Sequence, residues 1–152
     1  MPGGYALVLQ LARPVVLDVG RLGRVALAPG YYVYVGSAFG PGGLRARLRR
    51  HWAGSGRHHW HVDYLRAVTR PVAAWYQAQQ ASREHDWAAA LARGRGLQPV
   101  PGFGCTDCRC ESHLYRAVRM PSFDAFRRRL GRRKPGDGAL QMLSREGPQE
   151  RR

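Results

Sequence analysis

Tyr34-Val35-Gly36-Ser37-Ala38, then a glycine-spaced loop, then Leu44-Arg45-Ala46-Arg47-Leu48-Arg49-Arg50-His51-Trp52: this stretch decides the fold. Its first part continues a β-rich run from Tyr31 to Gly36. Tyr32 and Tyr34 share one face of that run, and Tyr31, Val33 and Val35 share the other. Glycines at 36, 40, 42 and 43 mark a loop. Its second part has the period of a helix from about Leu44 to Trp52. At about 100° per residue Leu44, Leu48 and Trp52 form an apolar stripe. Arg47, Arg50 and His51 lie on one flank of the stripe, and Arg45 and Arg49 on the other. A strand that enters a helix through a glycine loop, with a cationic helix flank beside the strand end, is the nucleus of a mixed fold.

Working outward, Tyr5 to Leu11 alternates as a strand, with Tyr5, Leu7, Leu9 and Leu11 on one side. Val15–Val19 and Arg24–Leu27 are short strands around Gly20-Arg21-Leu22-Gly23, so the first 36 residues read as an antiparallel meander. Downstream, the pattern predicts a helix over 61–68, a strand over 72–78 and a Ser82-capped helix to about Arg93. Residues 94–112 read as loop, 113–118 as a strand and 123–130 as a basic helix capped by Ser122. The order of elements places the chain in the α/β class, of the α+β kind. Residues 1–130 form one domain, and 131–152 read as a basic tail with too few apolar groups to order itself.

The chain has 152 residues and a net charge of +15, and all but one of its 25 basic residues are arginines. Residues 44–70 hold seven arginines against one acid, and residues 121–152 hold nine basic residues against four acidic. A GC-rich coding bias would also raise Arg, but it would spread the charge more evenly. The clustering points to a polyanionic partner, nucleic acid first. No run of 18 apolar residues is present, so no membrane span is expected. Three cysteines within six residues do not make a secreted disulfide framework. A reducing, cytoplasmic setting suits them better.

Three groups of residues have the chemistry of a site. Glu84 is the first. With Glu84 at 0° on its helix, Trp87, Ala88 and Leu91 fall within about 60° of it, and Asp86 near 200°. Glu84 is thus the inward carboxylate, which needs a partner such as a metal ion. Alternatively it serves the helix dipole alone. The second group is Cys105-x-x-Cys108-x-Cys110-x-x-His113, whose soft ligands make a usable zinc set or a reduced thiol cluster. The third is His58, His59 and His61 around Trp60 and Asp63. His61 either lines a site or packs beneath the Trp and bonds the backbone.

Gly3-Gly4-Tyr5, Tyr34-Val35-Gly36-Ser37 and the helix with Arg47 together resemble the GIY-YIG nuclease superfamily. The order resembles the nuclease domains of phage homing endonucleases and of the bacterial excision-repair incision subunit. It is most similar to the stand-alone Uri-type branch. In that branch an extra hairpin follows the first motif, then His-Trp-His-x-Asp-Tyr, then a Gly-Phe-Gly loop leading to Asp-Cys-x-Cys-x-x-His-Leu. This chain has His59-Trp60-His61-Val62-Asp63-Tyr64, Gly102-Phe103-Gly104 and Asp107-Cys108-Arg109-Cys110-Glu111-Ser112-His113-Leu114. The resemblance covers roughly residues 3–116. Gly4 stands where an apolar residue is usual, and Tyr5 and Tyr34 are 29 positions apart, longer than in compact members.

The resemblance implies a three-stranded antiparallel core sheet flanked by helices, with the hairpin added. It implies metal-dependent hydrolysis of nucleic-acid phosphodiesters, with DNA favoured over RNA. Tyr5, Tyr34 and Arg47 are then the catalytic residues, and Glu84 holds Mg2+ or Mn2+. Gly36, Ser37, Arg50, His51 and His61 support the site or bind nucleic acid. Zn2+ on the Cys-rich loop is a separate possibility. Two other functions fit the residues: a nucleic-acid-binding module without catalysis on the same scaffold, and a zinc-stabilised interaction domain. The sequence leaves the oligomeric state open.

Overall fold

The structure, a computed structural model, describes residues 1–54, 60–105 and 110–144. Its framework is a mixed α+β arrangement of four helices, a six-stranded antiparallel sheet and a separate two-stranded hairpin. β1 (Gly3–Leu11) lies between β4 (Gly30–Ala38) and β5 (Arg70–Ala78). These three antiparallel strands are the expected core sheet. The edges extend it: β7 (Leu114–Ala117) and β6 (Gln98–Pro99) beyond β4, and β8 (Gln141–Ser144) beyond β5.

β2 (Val15–Val19) and β3 (Gly23–Leu27) pair only with each other. The meander read from the first 36 residues is therefore interrupted. The hairpin folds out, and β4 returns to pair directly with β1. Both outer faces of β1 are buried, so its alternation sorts side chains between two cores. Tyr5, Leu7, Leu9 and Leu11 join Tyr32, Tyr34 and Ala74 on one face. That face is covered by α1 (Gly43–Ala53), α2 (His61–Arg66) and the inner residues of the hairpin. Ala6 and Val8 join Val33, Val35, Ala73 and Trp75 on the other, under α3 (Glu84–Ala92) and α4 (Phe123–Leu130).

α1 follows the expected stripe: Leu44 and Leu48 are buried, and Trp52 packs against the same core. Its start is tied to the chain terminus, because Leu44 N–H donates to the Met1 carbonyl at 2.8 Å. Its end is tied to α2, because Arg66 donates to the carbonyls of His51 and Trp52 at 2.7 and 2.9 Å. α2 is fixed in turn by Asp63. This buried carboxylate accepts two parallel bonds from Arg50 at 2.9 Å each and one from Trp60 N–H at 2.8 Å.

The segment read as a disordered tail is ordered as far as residue 144. Asp137 is buried, accepting from Gln80 N–H at 3.0 Å and Arg83 Nε at 3.2 Å. Gly138 N–H donates to the Ala78 carbonyl, and β8 then pairs with Ala73–Tyr76 of β5. The order comes from backbone groups at an open sheet edge, which a low apolar content does not reveal. Residues 145–152 lie outside the described residues.

The Asp63 network yields a stability prediction. Removing one partner of a largely buried, bidentate pair strands the other charge. Asp63→Ala should lower unfolding free energy by about 3 kcal/mol, measured by urea denaturation. A loss below about 1 kcal/mol would place the pair among exposed surface bridges instead.

Candidate active site at one end of the sheet

The start of β1, the end of β4 and the residues before β7 meet at one end of the sheet, with α1 on one face and the first turn of α3 nearby. Tyr5 enters from β1 and faces Gly36 directly across the β1–β4 pair. The Tyr5 ring lies over Gly36, and a Cβ there would stand 2.4 Å from the Tyr5 oxygen. Gly36 therefore makes room for the ring, which any side chain would displace. The Tyr5 hydroxyl shares a 2.8 Å hydrogen bond with His51 Nε2.

Burial sets the charge states of this pair. The Tyr5 hydroxyl is pushed up to about 12, chiefly by burial and then by Glu84 and Asp63, while Arg47 pulls it down. His51 is 1% exposed, and burial with the nearby Arg50, Arg47 and Arg66 holds it down at about 4. The expected cationic flank of α1 is thus corrected at two positions. His51 is a neutral buried group rather than part of a positive face. Arg50 is committed to Asp63.

Arg47 is different. It is half-buried, its Nη1 donates to the Ser37 carbonyl at 3.0 Å, and its guanidinium carbon stands 4.2 Å from the Trp60 ring centre. Among the described residues no carboxylate pairs with it. Neutral acceptors and a π-face hold the fork in place while its charge remains available to an anion. Ser37 contributes its carbonyl to Arg47, and its hydroxyl pairs with that of Ser82 at 2.8 Å.

Tyr34 lies beside Tyr5 with ring centres 6.5 Å apart and packs edge-on against Phe103 at 6.3 Å. Burial, reinforced by Tyr5 and Glu84, raises its hydroxyl well above the ordinary tyrosine range. His61 packs edge-on against Phe103 at 5.5 Å, and its Nδ1 accepts from Gly104 N–H at 2.8 Å. Its contacts hold the Gly102–Gly104 loop against the tyrosines. His58 and His59 lie outside the described residues.

Glu84 sits in the first turn of α3, half-buried as its helix position implied, and Asp86 is exposed. Its Oε2 stands 3.5 Å from Nδ1 of the buried His113. Its field reaches both tyrosine hydroxyls, raising each. The soft-ligand group is reassigned. Ligand atoms of His85, Cys110 and His113 all lie within 4.8 Å of one another. Cys105 is not in that group; its Sγ contacts the Phe103 carbonyl at 3.7 Å. Cys108 lies outside the described residues. His85 was not legible as a ligand, because it is 25 positions before Cys110 and reads as a solvent-facing helix residue. The only local signal was an imidazole next to the inward carboxylate.

Residues 4–133 match the family described as domain of unknown function DUF123. The chain belongs to this family. No curated protein and no solved structure matches it. The family match spans every element that supplies the site, from β1 to the end of α4, and stops before β8. Among the described residues no helix is long and apolar enough to cross a membrane.

The buried, neutral His51 links the site to stability. The unfolded chain takes up a proton near pH 6.5 that the folded chain refuses until about pH 4. Stability should therefore fall as pH drops through that interval, by about 3 kcal/mol from this residue. His61 and His113, also lowered by burial, act in the same sense. Denaturant midpoints from pH 7.5 to 4.5 should show a slope that His51→Gln reduces. An unchanged slope would mean that His51 titrates normally.

Proposed function

We propose that this chain is a metal-dependent endonuclease of the GIY-YIG type that hydrolyses nucleic-acid phosphodiesters, with DNA as the favoured substrate. The observation that carries the proposal is Arg47: a half-buried guanidinium held by neutral groups beside Tyr5, without a carboxylate partner among the described residues. Structural arginines in cores are normally paired, as Arg50 is here. An unpaired one, next to two tyrosines and within reach of a carboxylate's field, suits a phosphoryl group whose charge grows in the transition state.

The residues take roles that follow from their positions. Arg47 receives the phosphoryl oxygens with its fork. The Tyr5 oxygen, hydrogen-bonded to His51 Nε2 beside Arg47, orients the attacking water. Tyr34 supplies a second protonated hydroxyl at the same end of the sheet. Glu84 fits a hard cation, Mg2+ or Mn2+, which is commonly held by one carboxylate, the substrate phosphate and waters. Such an ion would supply Lewis acidity to the phosphoryl oxygen. The unusual Gly4 has a local reason: a Cβ there would stand 2.8 Å from the Gln79 amide, which occupies that space.

The second charge block supports a binding path. Arg127, Arg128, Arg132, Arg133 and Lys134 are exposed at and after the end of α4. A cytoplasmic setting, in keeping with reduced cysteines, completes the proposal.

A supercoiled-plasmid assay with Mg2+ or Mn2+ tests the activity. Wild type should nick, Arg47→Ala and Glu84→Gln should lose about 100-fold or more, and Tyr5→Phe should also lose rate. If no preparation cleaves DNA or RNA while binding persists, the chain is a binding module without catalysis. Replacing Arg132, Arg133 and Lys134 with Gln should weaken binding of all sequences alike. It should also reduce the slope of log K against log salt by about 2–3, read by fluorescence anisotropy. An unchanged slope would remove this segment from the binding path.

A further inference from the structure

We infer that His85, Cys110 and His113 form a zinc site that pins the loop before β7 to the first turn of α3. The three ligand atoms already lie within 4.8 Å of one another. Tetrahedral zinc with nitrogen and sulfur ligands needs separations of about 3.4–3.8 Å, which small side-chain rotations would supply. The donors come from two elements that are distant in sequence. His85 is the second residue of α3, and Cys110 and His113 flank the turn into β7. The chain has only six histidines and three cysteines, so convergence of three at one point is a selective arrangement.

The donor types choose the ion. Two imidazoles and a thiolate are a borderline-soft set that suits Zn2+ and is poor for Mg2+, which prefers oxygen. Burial grades across the group: His113 is buried, Cys110 intermediate and His85 exposed. The ion would thus enter from the His85 side and be anchored on His113. His113 is already fixed by backbone bonds, its carbonyl accepting from Val35 N–H at 2.9 Å and its N–H donating to the Phe103 carbonyl at 2.8 Å. The rigid side of the site is therefore the sheet, and zinc would bring α3 to it.

The consequence concerns Glu84. It precedes one ligand in sequence and stands 3.5 Å from the other imidazole. A clamp through both histidines would fix the orientation of that carboxylate. The zinc site itself is independent of the nuclease reading; only this positioning effect rests on it.

The test uses the full chain purified without chelator. Elemental analysis should find about one zinc per chain. Co2+ added to the metal-free protein should give a tetrahedral visible spectrum with a thiolate charge-transfer band. His85→Ala, an exposed position with little effect on folding, should abolish stoichiometric zinc, and Cys110→Ser should abolish the charge-transfer band. Cys105→Ser should retain both. Removing zinc should lower the Tm of wild type but leave that of His85→Ala unchanged. The proposal is overturned if wild type holds no zinc after supplementation, if His85→Ala keeps a full equivalent, or if Cys105→Ser loses it. These readouts do not involve cleavage, so they stand or fall apart from the nuclease activity.

Discussion

A buried tyrosine hydroxyl at one end of the central strand is the constraint around which the rest is arranged. β1 is hydrogen-bonded on both edges and buried on both faces, so a polar atom on it needs a partner from another element. Tyr5 brings such an atom, and His51 meets it from α1. That bond joins the packing of Leu44 and Leu48 and the ties at both helix ends in holding the helix over the sheet. It also requires Gly36 opposite Tyr5, since the ring occupies the space a side chain would need. The strand β1, the glycine of β4 and the helix are parts of one steric and polar solution.

The same helix places two arginines over one Trp60 ring, at 4.2 and 4.5 Å, and gives them different roles. Arg50 is spent on Asp63 and holds α2 in place. Arg47, one turn earlier, is positioned by a carbonyl and the ring, with no carboxylate partner among the described residues. What separates them is the location of one carboxylate. Net charge alone does not distinguish a fold-holding arginine from a ligand-facing one.

Several features of this arrangement were legible in the residues. Strand alternation, with its strict period of two, grouped Tyr5 with Leu7, Leu9 and Leu11, and Tyr34 with Tyr32; the β1–β4 pairing then brings both sets into one core. The Leu44, Leu48 and Trp52 stripe gave α1 its buried side, and the helical position of Glu84 distinguished it from Asp86. Other features were not. His51 belongs to a basic run that reads as cationic; burial, with the arginines around it, sets its charge state. His61 carries two meanings; it bonds the Gly104 amide, and its ring packs on Phe103.

The local periodicities that sort side chains between faces and mark helix starts are properties of adjacent residues, so the sequence by itself determined the α+β class, the central strands and the inward Glu84, while the resemblance singled out Tyr5, Tyr34 and Arg47. Tertiary structure alone decided what depends on distant segments meeting. It drew His85 to Cys110 and His113 in place of Cys105. It paired Arg50 with Asp63 while leaving Arg47 without a carboxylate among the described residues. It also ordered residues 134–144 against the edge of β5. The physical reason is common to all three. Burial, charge pairing and backbone edge bonding are fixed by juxtapositions that carry no period along the chain.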